Sequence, residues 1–117
     1  DGANTQTIEG NAPTRPFVEL ARKDGSTAAA SIAYTEATTT MQAATAPAEN
    51  TRNWAFDCLT HDAYAYGAAL NFGNREGWDA VPLTLASDWL ELAAGKASLT
   101  LTNSDGGRLV YRPAYRL

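Results

Sequence analysis

The chain has 117 residues, 44% of them hydrophobic and 19% charged, which is the length of one domain with enough apolar material for a core unsupported by disulfides or metals. Thirteen acidic residues against nine basic ones give a net charge of −4 with no run of either sign, which argues against a nucleic-acid groove and against a charged tail. No apolar stretch approaches the roughly 18 residues of a membrane helix, so no membrane partner is expected.

Lysine occurs only at Lys23 and Lys96, among abundant Thr, Ser, Ala, Asn and Gly. A polar, weakly charged surface of this kind suits a secreted, extracellular protein. The start, Asp1-Gly2-Ala3-Asn4, has neither a basic nor an apolar leader, so a signal peptide is expected to have been removed or never included.

In chain order, residues 1–16 are loop-like, with Pro13 and Pro16 opposing a helix and Thr7 to Gly10 forming a short edge strand. Phe17 to Arg22 alternates as a strand, Lys23-Asp24-Gly25-Ser26 reads as a turn, and Ala28 to Tyr34 returns as the second arm of a hairpin. Thr35 to Asn53 is rich in Ala and Thr and reads as an irregular connection with at most one strand, because the β-branched run Thr38-Thr39-Thr40 disfavours a helix. Trp54 to Leu59 is a strand with Trp54, Phe56 and Cys58 on one face, and core packing is the favoured role of Trp54. Ala63 to Phe72 is a longer strand whose Tyr64 and Tyr66 are expected to face the core.

Asn71 to Gly77 reads as a loop, and Val81, Leu83 and Leu85 alternate around Pro82 as an edge strand. Trp89 to Leu92 leads to a turn at Ala93 to Lys96, followed by alternation of Ala97, Leu99 and Leu101. Asn103-Ser104-Asp105-Gly106-Gly107 is the strongest turn signal, and Arg108 to Leu117 closes the chain with one or two short strands. Short strands at spacings of about 8–12 residues, with no amphipathic helix, predict a single all-β domain over 1–117, an antiparallel β-sandwich or jelly roll.

Reactive groups are sparse. Cys58 has no partner for a disulfide within the chain and reads as a buried hydrophobe; the single histidine, His61, lies between Asp57 and Asp62 without a serine in a nucleophile-elbow context. Glu76 and Asp79 sit three apart in one loop and read as solvated acids, so the chain is expected not to be an enzyme. One His and one Cys serve zinc poorly, whereas calcium is left open through Glu9, Asp24 or Asp105 with backbone carbonyls.

Sugar binding without catalysis needs an aromatic face for the pyranose ring, flanked by amides and carboxylates for its hydroxyls. The segment from Asn71 to Asp79 supplies this mixture, with Trp78 as the platform and Asn74 and Glu76 as readers of hydroxyls. The loop carrying Asn103 and Asp105 is a second set, and Trp54, in the polar setting after Asn53, is a further candidate.

The stretches Tyr66 to Asn74, Val81 to Leu85, Leu92 to Asn103, Asp105 to Leu109 and Ala114 to Leu117 resemble the closing strands of the galactose-binding-like β-sandwich of family 6 and family 35 carbohydrate-binding modules, and Ile8-Glu9-Gly10 resembles their first strand. The resemblance implies a non-catalytic module that holds a secreted glycan-active enzyme near a polysaccharide or oligosaccharide, as a monomer or as part of a larger multidomain enzyme. It also implies a structural calcium site with Glu9 as contributor. The chain departs from that pattern where the family often has an Asp in its last strand, carrying Tyr111-Arg112-Pro113-Ala114-Tyr115 instead. The competing reading is a structural or interaction β-sandwich, a spacer or adhesin-like domain without glycan binding.

Overall fold

The computed structural model describes residues 2–42, 51–67, 79–80 and 88–116. Among them are nine strands: β1 Gly2–Ile8, β2 Phe17–Arg22, β3 Ser31–Tyr34, β4 Thr39–Gln42, β5 Asn53–Asp57, β6 Asp62–Tyr66, β7 Asp79–Ala80, β8 Gly95–Thr102 and β9 Ser104–Val110. One 3₁₀ turn, Thr35–Ala37, is the only helical element among the described residues. The strands form two antiparallel sheets, one ordered β1-β8-β3-β4 and the other β7-β6-β5-β2-β9. The expected all-β antiparallel sandwich is what the chain forms.

Alternation along the strands explains the layering. Residues directly opposite one another in an antiparallel pair share a face. The pairs Leu20↔Trp54 and Val18↔Phe56 therefore send β2 and β5 side chains inward together. In the other sheet Leu99↔Tyr34 and Ile32↔Met41 do the same. Cys58 continues the inward row of Trp54 and Phe56, and all three are buried in one cluster with Leu90 and Leu92. At ~25 cal/mol per Å², burying side chains of this size supplies most of the force holding the sheets together.

Several expectations differ from what the chain does. Phe17–Arg22 and Ser31–Tyr34 are not arms of one hairpin, for β2 and β3 lie in different sheets. The turn itself forms, with the Ser26 amide donating to the Lys23 carbonyl at 3.0 Å. The chain then arches between layers over the buried Ala29 and Ala30, because β9 rather than β3 occupies the edge beside β2.

Asn103 to Gly107 is not a turn. A single left-handed residue, Asn103 at φ 56°, swings the chain from β8 in one sheet into β9 in the other. Gly106 and Gly107 lie within β9, and a Cβ on Gly107 would stand 3.1 Å from both the Glu19 carbonyl oxygen and Leu20 Cδ2. That glycine serves close packing.

Tyr64 and Tyr66 do not face the core between the sheets. Their partners Ala55 and Asn53 alternate with Phe56 and Trp54, so Ala63 and Ala65 take the inward positions. Tyr66 is buried nonetheless, on the outer face. Finally, residues 1–16 are not loop-like with a strand only at Thr7 to Gly10, for β1 runs over Gly2–Ile8 against β8. Leu90 and Leu92 lie outside the strands, and Leu92 is held by an isolated bridge to Thr14, with reciprocal backbone bonds of 2.9 and 2.8 Å. The expected strand at Val81 to Leu85, and the part of the expected strand beyond Gly67, lie outside the described residues.

Candidate binding groove

The sandwich is open along the side where edge strands β1 and β9 face each other. In the β1–β8 ladder Asn4 stands opposite Leu99 and Gln6 opposite Ala97, so both amides project from the face that elsewhere forms the core. Leu99 and Ala97 are buried, whereas Asn4 and Gln6 are exposed. Neither Asn4 nor Gln6 is apolar, so the seam they border stays accessible to solvent instead of closing by burial. The result is a groove of about 580 Å³ whose floor includes Ile32, Leu99, Leu101 and Leu109. Asn4 and Gln6 form one wall, and Asp105 and Arg108 stand on the other.

Tyr111 closes one end. It follows β9 and reaches across to the chain beyond β1, where its hydroxyl accepts from the Glu9 amide at 3.1 Å and donates to the Thr7 carbonyl at 3.5 Å. The ring is half-buried and packs against the core, which leaves part of one edge on the groove.

Arg108 is anchored from below. Its Nε lies 3.2 Å from Oε1 of Glu19, the cross-strand neighbour, which is completely buried in the middle of β2. The Tyr66 hydroxyl donates to the other carboxylate oxygen of Glu19. Tyr66 is two strands away in the sheet, across β5. This carboxylate links three strands on the outer face and holds the guanidinium of Arg108 there.

The residues expected to bind sugar are distributed differently. Trp78, Asn74 and Glu76 lie outside the described residues. Trp54 is only 1% exposed, between the two sheets, so its ring has no face for a sugar; it is a core residue and not a binding one. Asp105 borders the groove and Asn103 does not line it, and both are bound to structure. The Asn103 carbonyl accepts from the Lys23 amide at 3.1 Å, and an Asp105 carboxylate oxygen accepts from the Asp24 amide at 3.0 Å. These two bonds tie the turn after β2 to the crossover between the sheets. The amides of β1 and Tyr111 were missed in the sequence, although Asn4, Gln6 and Ile8 already alternate in step; the polar residues at positions matching an apolar one were the available signal.

The acid and histidine pair at 57 and 61 is engaged in structure. Asp57 Oδ1 accepts from the Leu59 and Thr60 amides at 3.1 and 3.3 Å, shaping the β5–β6 turn. His61, at φ 62°, stacks on Trp89 with ring centroids 5.1 Å apart, and its Nε2 lies 2.8 Å from Arg15 Nη1. A guanidinium only donates, so this contact uses Nε2 as the acceptor. Arg15 also reaches Glu91 at 3.2 Å.

Burial pushes the Cys58 thiol up to about 12, and the thiol donates to Met41 Sδ at 3.7 Å. Among the described residues no three His, Cys, Asp or Glu side chains gather closely enough to hold a metal ion. Of the acids considered for calcium, Asp24 and Asp105 are neighbours and Glu9 lies at the Tyr111 end of the groove.

No family model, no curated protein and no solved structure matches the chain. Its chemistry is therefore read from the groove.

Proposed function

We propose that the chain is a non-catalytic carbohydrate-binding module, secreted and appended to a glycan-active enzyme, and that it binds a polysaccharide or oligosaccharide in the groove between β1 and β9. The observation that carries this reading is the placement of Asn4 and Gln6 at core-facing positions that remain exposed beside an apolar floor. A sugar ring presents C–H groups on its faces and hydroxyls at its rim, and such an amphipathic body matches an aliphatic floor between amide and charged walls. Asp105 and Arg108 complement the amides as acceptor and donor. Trp78, with Asn74 and Glu76, remains the proposed aromatic platform and its polar flank.

Affinity electrophoresis in gels containing soluble β-glucans, xylans or galactans tests the proposal. Retardation by at least one polymer is expected, and the double variant Asn4→Ala/Gln6→Ala should abolish it without lowering the melting temperature by more than a few degrees. Trp78→Ala then separates platform from groove. A parent protein retarded by none of the polymers leaves the competing interaction-module reading in its place.

A further inference from the structure

A second depression, on the outer face of the five-stranded sheet, has a different character. It encloses about 760 Å³ and is lined by Phe17, Leu59, Val110, Arg112 and Arg116 among others. Leu59 is 72% and Val110 46% exposed. Of the three large hydrophobic residues exposed among the described residues, these two line the same depression. Clustered exposed apolar side chains rimmed by charge mark contact surfaces more often than solvated ones do.

The charges around it are not balanced. Asp57 and Glu91 border the depression, but Asp57 caps the β5–β6 turn and Glu91 pairs with Arg15. Among the described residues neither the Arg112 nor the Arg116 guanidinium enters an ion pair. In a chain of net charge −4 this is a local cationic surplus. Its backbone is held in place from two sides. Thr14 Oγ1 donates to the Arg112 carbonyl at 2.8 Å, and Asn11 Nδ2 donates to the Arg116 carbonyl at 3.1 Å. The two cations are therefore presented from a fixed strap, which lowers the ordering cost of a ligand bound by them.

We propose that this depression is a docking surface for an acidic polypeptide segment in extended conformation, with an apolar side chain against Leu59 and Val110 and carboxylates on Arg112 and Arg116. Two observations favour a peptide over an acidic glycan. Among the described residues no Asn or Gln lines this depression, so it lacks the amides that would read sugar hydroxyls in the groove, while its exposed aliphatic residues suit an apolar side chain. Val110 also ends β9, the edge of its sheet among the described residues, and the backbone at that end, beyond the groove, offers main-chain groups to an extended polypeptide. The proposal is independent of glycan binding in the groove.

The test uses the whole chain and a fluorescein-labelled peptide alternating leucine with aspartate, with a control carrying lysine in place of aspartate. Fluorescence anisotropy should show saturable binding of the acidic peptide only, weakening several-fold when salt is raised from about 0.05 to about 0.5 M. Arg112→Glu/Arg116→Glu should raise the dissociation constant about tenfold or more. Leu59→Asp, at an exposed turn position, should do likewise and carries the test if the double variant misfolds. Amide shift changes on titration should centre on Leu59, Val110 and Arg112. Equal binding of the lysine control, undiminished binding to both variants, or shifts centred on the β1–β9 groove would overturn the proposal. So would polygalacturonate outcompeting the peptide at this surface, which would assign it to an acidic glycan.

Discussion

Gly10→Ala is expected to detach the C-terminal strap while leaving both sheets intact. Gly10 sits at φ +104°, in the region that favours glycine, and forms a parallel bridge with Ala114. A Cβ built there lies 2.3 Å from the Ala114 carbonyl oxygen and 3.0 Å from its nitrogen, where the obstructing atoms are backbone and cannot swing aside. The strap must therefore withdraw. Withdrawal breaks the bonds from the Asn11 and Ala12 amides to the Ala114 carbonyl, at 2.9 and 3.1 Å, and the reciprocal pair between the Asn11 side chain and the Arg116 backbone. Most of these groups regain water, so each net loss is about 0.5–1.5 kcal/mol, and the four bonds together are worth about 2–6 kcal/mol, to which the strained dihedral adds. For a domain of this length that is a fall in melting temperature of at least about 10 °C. Urea unfolding followed by Trp fluorescence should show a lower midpoint with little change in slope. Asn11→Ala, which removes only the side-chain pair, should cost about 1 kcal/mol. If Gly10→Ala fell within roughly 0.5 kcal/mol of the parent, the close approach inferred at Ala114 would be wrong.

Three further outcomes follow from the core, the buried acid and a shifted surface acid. Cys58, with its thiol pushed up to about 12 by burial, should react with a thiol reagent at neutral pH only as fast as the protein opens, so labelling should accelerate in parallel with unfolding in urea; fast labelling of the native protein refutes its place in the core. Glu19→Gln keeps the shape but replaces a charged acceptor that serves Tyr66 and the half-exposed Arg108, and it should cost about 1–2 kcal/mol in a urea melt after discounting for solvent at Arg108; an unchanged midpoint would show that the network adds nothing. Glu36 is held below the usual carboxylate range by the Ser98 amide and hydroxyl, at 2.7 and 2.8 Å. Its contribution is thus complete above the unfolded-state value and lost as pH falls through the lower folded value, and in an NMR titration Ser98→Ala should move that carboxyl upward.

Much of the layering was legible in the sequence because strand alternation is a local property. Phe17–Arg22 reads as a strand from its own pattern, and so do the inward rows Trp54-Phe56-Cys58 and Ala97-Leu99, each of which needs only a period of two and a hydrophobic driving force. Alternation does not say which face of a sheet lies against the other layer, so Tyr64 and Tyr66 were placed on the wrong one: both faces of this sheet hide residues, and Glu19 satisfies the buried Tyr66 phenol.

Glycine-rich polar runs were equally ambiguous. Gly106 and Gly107 suit a turn by conformational freedom, yet both stand in β9, where a Cβ on Gly107 would crowd Glu19 and Leu20, and the change of direction falls on Asn103. Sequence by itself determined that this chain would fold as layered antiparallel strands with an apolar interior. Tertiary structure decided which edges meet, and thereby placed Asn4 and Gln6 on a groove wall facing Arg108 from more than a hundred residues further along the chain. Local pattern fixes a side chain's face, whereas a binding surface is made by distant segments whose proximity only long-range packing sets.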